Sequence, residues 1–264
     1  MARPLDSPEG AEPFMLWSWT PTRRDEPELM DAPGLPEAEV ADAYRVLRRV
    51  NRQLGHLRSI ERELRVFLDE DRLTGGRVSI LDVGSGSGDL PRALRERSEG
   101  WGIGGVVVAL DRDPTAVALA RRQRLEVVQG DALRLPFADG SIDLVTAIKF
   151  AHHFHGEDLH RLLAEMARVA RRRVVVLDIR RHWLAYWGFV AWSRLATRNR
   201  LVRFDGPLSV LRGFTAGELV ELARPLLEFA WTVRSYAGFQ LVLVGRRVVP
   251  PASASRRPEE PSGP

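Results

Sequence analysis

Between Glu37 and about Arg72 the apolar residues Val40, Tyr44, Leu47, Val50, Leu54, Leu57, Ile60, Leu64, Phe67 and Leu68 recur at steps of three and four. That spacing draws one apolar stripe on a helix, so the segment is expected to form one long helix or two shorter ones jointed at Gly55. After Gly75-Gly76 the period changes. Short apolar runs at 78–83, 106–110, 125–129, 142–148 and 173–179 alternate with amphipathic stretches at 90–97, 114–124 and 159–171. Strands alternating with helices are the pattern of βαβ units on a parallel sheet. Thr215 followed three residues later by Glu218 predicts a capped helix over 214–223. The runs 229–236 and 239–246, separated by Ala237-Gly238, predict a closing antiparallel hairpin. The expected fold is α/β: a mostly parallel sheet of seven strands with an antiparallel C-terminal hairpin.

The flanks follow other rules. Residues 1–36 hold Pro4, Pro8, Pro13, Pro21, Pro27, Pro33 and Pro36, which predicts an irregular arm. Its Trp17 and Trp19 suggest an arm lying across the body rather than a passive tail. The division expected is a Pro-rich arm at 1–36, a helical cap at 37–75, a main domain at 76–249 with an aromatic insertion at 180–213, and a disordered tail at 250–264. No apolar stretch approaches the roughly 20 residues of a membrane span. Nothing at Met1 to Gly10 reads as a secretion signal, and the chain has no cysteine, so a cytoplasmic protein is expected.

The net charge of +4 and pI near 10.2 raise the question of nucleic acid. Almost all the basicity is arginine, Lys149 being the sole lysine, and runs such as Arg171-Arg172-Arg173 and Arg180-Arg181 are short and scattered. They are expected at helix ends and on solvated faces, and no nucleic-acid partner is expected.

The chemistry begins where the first strand, ending Asp82-Val83, runs into Gly84-Ser85-Gly86-Ser87-Gly88 and then Asp89. Glycines at the carboxyl edge of an open sheet let the backbone approach a ligand. A dinucleotide fingerprint would place its third glycine at residue 89, where aspartate stands, and a carboxylate there would repel a pyrophosphate. A ligand with a sulfonium and an amino group suits Asp82 and Asp89 instead. Asp111 ends the second strand, where an acid can accept from a ribose diol. Gly130-Asp131-Ala132 ends the third, followed by Leu135-Pro136-Phe137 and Ile142-Asp143-Leu144-Val145. Asp143, at the start of its strand, points away from the ligand edge and reads as structural.

In this order, over about residues 78–179, these motifs resemble the class I, Rossmann-like, S-adenosylmethionine-dependent methyltransferases, in particular the bacterial small-molecule branch that includes quinone-pathway enzymes. The resemblance implies S-adenosyl-L-methionine as cofactor. Gly84, Gly86 and Gly88 would shape the methionine end, and Asp82, Ser85 and Lys149 would also belong to the cofactor site. Asp111 would hold the ribose, Arg112 would lie beside the adenine, and Asp131 and Ala132 would meet it.

Methyl transfer from a sulfonium needs mainly alignment, and a base only for a protonated acceptor. His152 and His153, just beyond the fourth strand, are the candidate catalytic bases. With His155 they lack an accompanying carboxylate cluster, so no metal is expected. The run Trp183 to Trp192 admits three readings: a helix packed on the N-terminal helix, the wall of an apolar acceptor pocket, or contact with a membrane surface. The function expected is methylation, at oxygen or carbon, of a hydrophobic small molecule, aromatic or polyketide-like. The competing readings are an RNA or protein methyltransferase and a catalytically inactive cofactor-binding partner protein.

Overall fold

The structure, a computed structural model, describes residues 20–32, 34–71, 76–101 and 104–248. The first part of the Pro-rich arm, with Trp17 and Trp19, and the tail from residue 249 lie outside the described residues. The stripe at the N-terminus forms two helices, α1 (Glu37–Gln53) and α2 (His56–Glu70), with Gly55 between them. Then follow β1 (Arg77–Val83), α3 (Asp89–Gly100), β2 (Gly104–Asp111), α4 (Pro114–Arg122), β3 (Glu126–Gln129), β4 (Ile142–Ile148), α5 (Gly156–Val169) and β5 (Ala170–Ile179). The chain continues through α6 (Trp183–Ala196), α7 (Arg200–Arg212), α8 (Ala216–Ala223), β6 (Phe229–Tyr236) and β7 (Gln240–Arg247).

Local chemistry sets these ends. Asp113 accepts from the amides of Thr115 and Ala116 and so caps α4, whose first residue is Pro114. Thr215 and Glu218 exchange the two bonds of a capping box at α8.

The sheet order is β3-β2-β1-β4-β5-β7-β6. The first five strands run parallel, β7 is antiparallel to β5, and β6 pairs antiparallel with β7. The chain leaves β1 in one direction through β2 and β3 and resumes on its other side at β4. A crevice therefore opens at the carboxyl ends of β1 and β4, where such sheets bind ligands. Side chains alternate across β5: Val174 and Val176 enter the core beneath α5 and α8, whereas Val175 and Leu177 join Ile60, Leu64 and Phe67 of α2 on the opposite face. Helix α2 thus covers a sheet face. Helix α1 packs instead on α6 and α7, through Val40, Ala43, Phe189, Trp192, Leu201 and Val202, beside the crevice.

Several arginines depart from the sequence reading. Arg171, Arg172 and Arg173 lie within β5, not at a helix end, and Arg173 is buried against Glu70 and Asp71. Arg181 is buried too, forked onto Glu218 and donating to the carbonyl oxygens of Pro21 and Gly213. Arg212, also buried, donates to the carbonyl oxygens of His152, His153 and Glu26. Guanidinium forks satisfy several carbonyls at once, so Arg181 and Arg212 pin the described part of the arm to the body instead of facing water, through Pro21 and Glu26. Asp143 is structural as expected: it accepts from the amide and hydroxyl of Ser79 and pairs with Arg171.

Candidate active site

The loop after β1 turns on itself because its amides are drawn under β2: the N–H groups of Gly84 and Ser85 both donate to the Leu110 carbonyl, at 2.8 and 3.0 Å. Gly84 has φ of 70°, and a Cβ there would come within 2.1 Å of the Phe150 ring. Only glycine meets both demands. The N–H of Gly86 donates to Asp111 at 2.8 Å, and Asp113 N–H donates to the same carboxylate at 3.0 Å. Burial pushes the Asp111 carboxyl up from its ordinary value, against the pull of these two amides. The hydroxyl of Ser85 is buried and has no hydrogen-bond partner among the described residues. An orphaned donor beside a glycine cradle is a group prepared for a ligand.

Above this loop lies a cavity of about 560 Å³. Its floor is Gly84 to Ser87 with Asp89, its far wall is Lys149, His152 and His153, and its roof comes from Tyr44, Leu47 and Arg48 of α1 with Phe189 and Trp192 of α6. Arg48 reaches Asp89 at 3.0 Å and ties the roof to the floor. Of the residues singled out from sequence, Gly84, Ser85, Gly86, Lys149, His152 and His153 line this cavity. Gly88, Asp111, Arg112, Asp131 and Ala132 do not. Asp111 is one hydrogen bond from the loop; Arg112 and Asp131 are exposed along the carboxyl edge of β2 and β3, and Ala132 is buried beside them. Asp131 accepts from the Leu133 amide. Asp82 lies outside the cavity as well. It is buried between β1 and β4, accepts from Thr146 Oγ1 at 2.7 Å, and is pushed up to about 7 by burial.

The aromatic run divides by helical face. Phe189 and Trp192 line the cavity, the Phe189 ring lying so close to Gly206 of α7 that a Cβ there would overlap it. Trp187 points away and is 60% exposed. Phe189 and Trp192 both pack on the α1 cluster and line the cavity, whereas Trp187 does neither.

Beyond β4 the chain enters Lys149 with φ of 57°, an uncommon left-handed conformation for a residue with a side chain, held by its N–H donating to the Leu177 carbonyl. Burial brings the Lys149 amine down to about 8, and Asp178 opposes the shift. His152 is buried. Its Nδ1 meets Asp178 at 2.7 Å and its Nε2 faces Glu28 at 3.5 Å. Burial alone would strip the imidazolium, but the two carboxylates outweigh it and lift His152 to about 9. Asp178, whose burial favours the neutral acid, is brought down to about 2 by His152 and Lys149. His153 is half-buried, with Nδ1 3.2 Å from Asp31.

Glu28 and Asp31 went unnoticed in the sequence because they sit in an arm with no periodicity to place them. The fold brings Glu28 within reach of both histidines, with one donor atom from each of Glu28, His152 and His153 inside 4.8 Å of the others. The carboxylate that the sequence reading found missing beside the histidines is thus supplied from more than a hundred residues away. Glu28 also accepts from Ser209 at 2.7 Å, and with Asp178 it encloses His152 as a closed ion-pair network.

The glycine loop at the switch point, the acid at the end of β2 and the seven-stranded order agree with what the comparisons find. Residues 81–177 match the family model described as a methyltransferase domain. Residues 81–177 are a methyltransferase domain. The chain is similar to the demethylmenaquinone methyltransferase of Thermus thermophilus, 35% identical over 149 residues covering 53% of this chain and 63% of the relative. It is also similar to the phthiotriol/phenolphthiotriol dimycocerosates methyltransferase of Mycobacterium leprae, 34% identical over 38% of this chain and 35% of that one. Each alignment spans less than two thirds of the relative's own length. A SAM-dependent methyltransferase of Aquifex aeolicus shares the fold, with a TM-score of 0.56 at 17% identity over 81% of this chain and 100% of that one. Outside the matched domain, α1, α6 and α7 roof the site. Among the described residues no helix is long and apolar enough to cross a membrane.

Proposed function

We propose that the chain methylates a hydrophobic small molecule, at oxygen or carbon, inside the cavity between the glycine loop and the α1–α6 roof. The observation that carries this reading is the lining itself: one continuous cavity has the cradle of the methyltransferase domain at its floor and Leu47, Phe189 and Trp192 at its roof. An apolar roof favours a flat or chain-like apolar acceptor. The relatives named for demethylmenaquinone and for dimycocerosates support an acceptor of that chemistry. The burial of Arg173, Arg181 and Arg212 favours a small molecule over a nucleic acid, since these cations are engaged inside the protein.

When bound, S-adenosylmethionine supplies an activated methyl group on a sulfonium. The Ser85 hydroxyl, which has no partner in the loop, and the Asp111 carboxylate, which the Gly86 amide holds in place, are the groups that would hold it. The roof excludes water from the acceptor, and its aromatic rings orient it toward the floor. We assign the proton-accepting role to His153, which is half-buried on the cavity wall. His152 also lines the cavity, but the charged form that Asp178 and Glu28 enforce has no free lone pair at neutral pH. Its role is to position the turn that carries His153, whose carbonyl Arg212 also holds.

The test is incubation of the full chain with methyl-labelled S-adenosylmethionine and a panel of hydroxynaphthoquinones, alkylphenols and polyketide enols, read by mass spectrometry. A labelled product from an apolar member is expected. Transfer confined to RNA or protein substrates overturns the reading.

A further inference from the structure

The outer face of α6 has a composition unlike the rest of the surface. Leu184, Trp187, Gly188, Ala191 and Leu195 follow at steps of one to four and all are exposed, Trp187 at 60% and Leu195 at 90%. Phe204 of α7, the next helix, is also exposed, at 53%. Trp183, Tyr186 and Trp187 stack edge to face along one end. A soluble protein gains nothing from leaving indoles and long aliphatic side chains in water on one helix face. The charge is equally one-sided: from Ile179 to Phe204 there is no aspartate or glutamate, and there are six arginines. Arg200 is paired with Glu39, and Arg181 is buried on Glu218. Arg194 and Arg198 are exposed at the C-terminal end of α6 and form no ion pair among the described residues. The acids of α1 at this corner, Glu39 and Asp42, are already engaged by Arg200 and Arg45.

We infer that the α6 face docks on an anionic lipid surface, its tryptophans and leucines entering the headgroup boundary while Arg194 and Arg198 meet lipid phosphates. Tryptophan and tyrosine favour that boundary because one end of each ring system is apolar and the other polar. A helix with an apolar face and arginine at its edge lies in the interface plane without crossing it. A second copy of the chain is the poorer occupant: a two-fold contact would set this arginine-bearing, acid-free face against itself. Position gives the docking a purpose. Leu184 and Gly188 are exposed and also line the cavity, so the patch borders its mouth. An acceptor dissolved in the lipid would reach the cavity along α6 without crossing water. This inference rests on the proposed apolar acceptor.

The experiment is co-sedimentation of the full chain with phosphatidylcholine vesicles, with and without phosphatidylglycerol, at low and high salt. Binding to the anionic vesicles is expected, about tenfold weaker without phosphatidylglycerol and weakened by salt. Trp187→Asp combined with Leu195→Asp should lower vesicle binding about tenfold or more. Arg194→Glu with Arg198→Glu should remove the preference for anionic lipid. Both pairs lie outside the cavity, so S-adenosylmethionine binding by calorimetry should be unchanged, which verifies that the variants fold. Wild-type protein that stays in the supernatant with every vesicle overturns the inference. So does an aspartate variant, folded by the calorimetric measure, that sediments like wild type. A dimer that the aspartate substitutions dissociate, with no vesicle binding, assigns the face to a second copy and also overturns it. Methyl transfer to a water-soluble acceptor, measured in the same preparations without vesicles, keeps a failure of docking distinct from a failure of the acceptor reading.

Discussion

Replacing Glu28 with glutamine tests the network that holds His152 charged. The substitution keeps the shape and leaves an oxygen for the Ser209 hydroxyl, but it removes one of the two carboxylates on the imidazole. His152 stands at about 9 against an ordinary 6.5. At roughly 1.4 kcal/mol per pH unit that difference is about 3 kcal/mol. Because burial lowers the value, the two carboxylates together supply more than this net difference; Asp178 at 2.7 Å is nearer than Glu28 at 3.5 Å, so Glu28 holds the smaller share, at least about 1 kcal/mol. Glu28→Gln should therefore move the His152 titration from about 9 to about 8 or lower. Proton–carbon NMR of the histidine rings reads this directly, with His153→Asn used for assignment. A group whose folded pKa is raised adds stability that is fully present below its unfolded value and is lost as pH rises through the folded value. For His152 the window runs from 6.5 to about 9. Urea unfolding should show wild type gaining at least about 1 kcal/mol more over the variant at pH 6 than at pH 9.5, whatever pH-independent difference separates them. A His152 ring that titrates near 6.5 in wild type, or does not move in the variant, refutes the network and returns His152 to the candidate bases.

Gly84→Ala should destabilise the chain by about 1 to 3 kcal/mol, because alanine at positive φ is strained and its methyl would collide with Phe150; thermal unfolding measures it, and an unchanged midpoint counts against the loop geometry. Asp111→Ala should weaken S-adenosylmethionine binding by about 1 to 3 kcal/mol in calorimetry, since a partly buried acceptor would be lost, and equal affinity would remove Asp111 from the cofactor site. Dialysis against a chelator should leave methyl transfer unchanged, because Glu28 and His152 are engaged in an ion pair; loss of activity restored by a divalent ion would make Glu28, His152 and His153 a metal centre.

The main domain was legible because its signals are local or periodic. Strand and helix alternation, the capping box at Thr215 and Glu218, the joint at Gly55 and the hairpin after Tyr236 each depend on neighbouring residues, and each stands in the structure. The site was legible only where backbone geometry constrains sequence, as at Gly84. Glu28 and Asp31 were not, because an irregular arm gives no rule for what it crosses. The facing of α6 was hidden for another reason. Apolar residues surround the whole helix, so periodicity could not separate Phe189, on the cavity, from Trp187, in the open. Composition likewise counts arginines without saying that Arg173, Arg181 and Arg212 fold inward.

The central claim is that acceptor and cofactor meet in the cavity beneath α6. It is tested most directly by steady-state kinetics of Phe189→Ala and Trp187→Ala on one water-soluble acceptor. The two side chains lie two residues apart on one helix, one lining the cavity and one exposed. Phe189→Ala should raise the acceptor KM about tenfold or more with cofactor affinity unchanged, as a lost apolar contact requires, and Trp187→Ala should leave kcat and KM as they are. An acceptor KM that responds to Trp187→Ala and not to Phe189→Ala would place the acceptor outside this cavity.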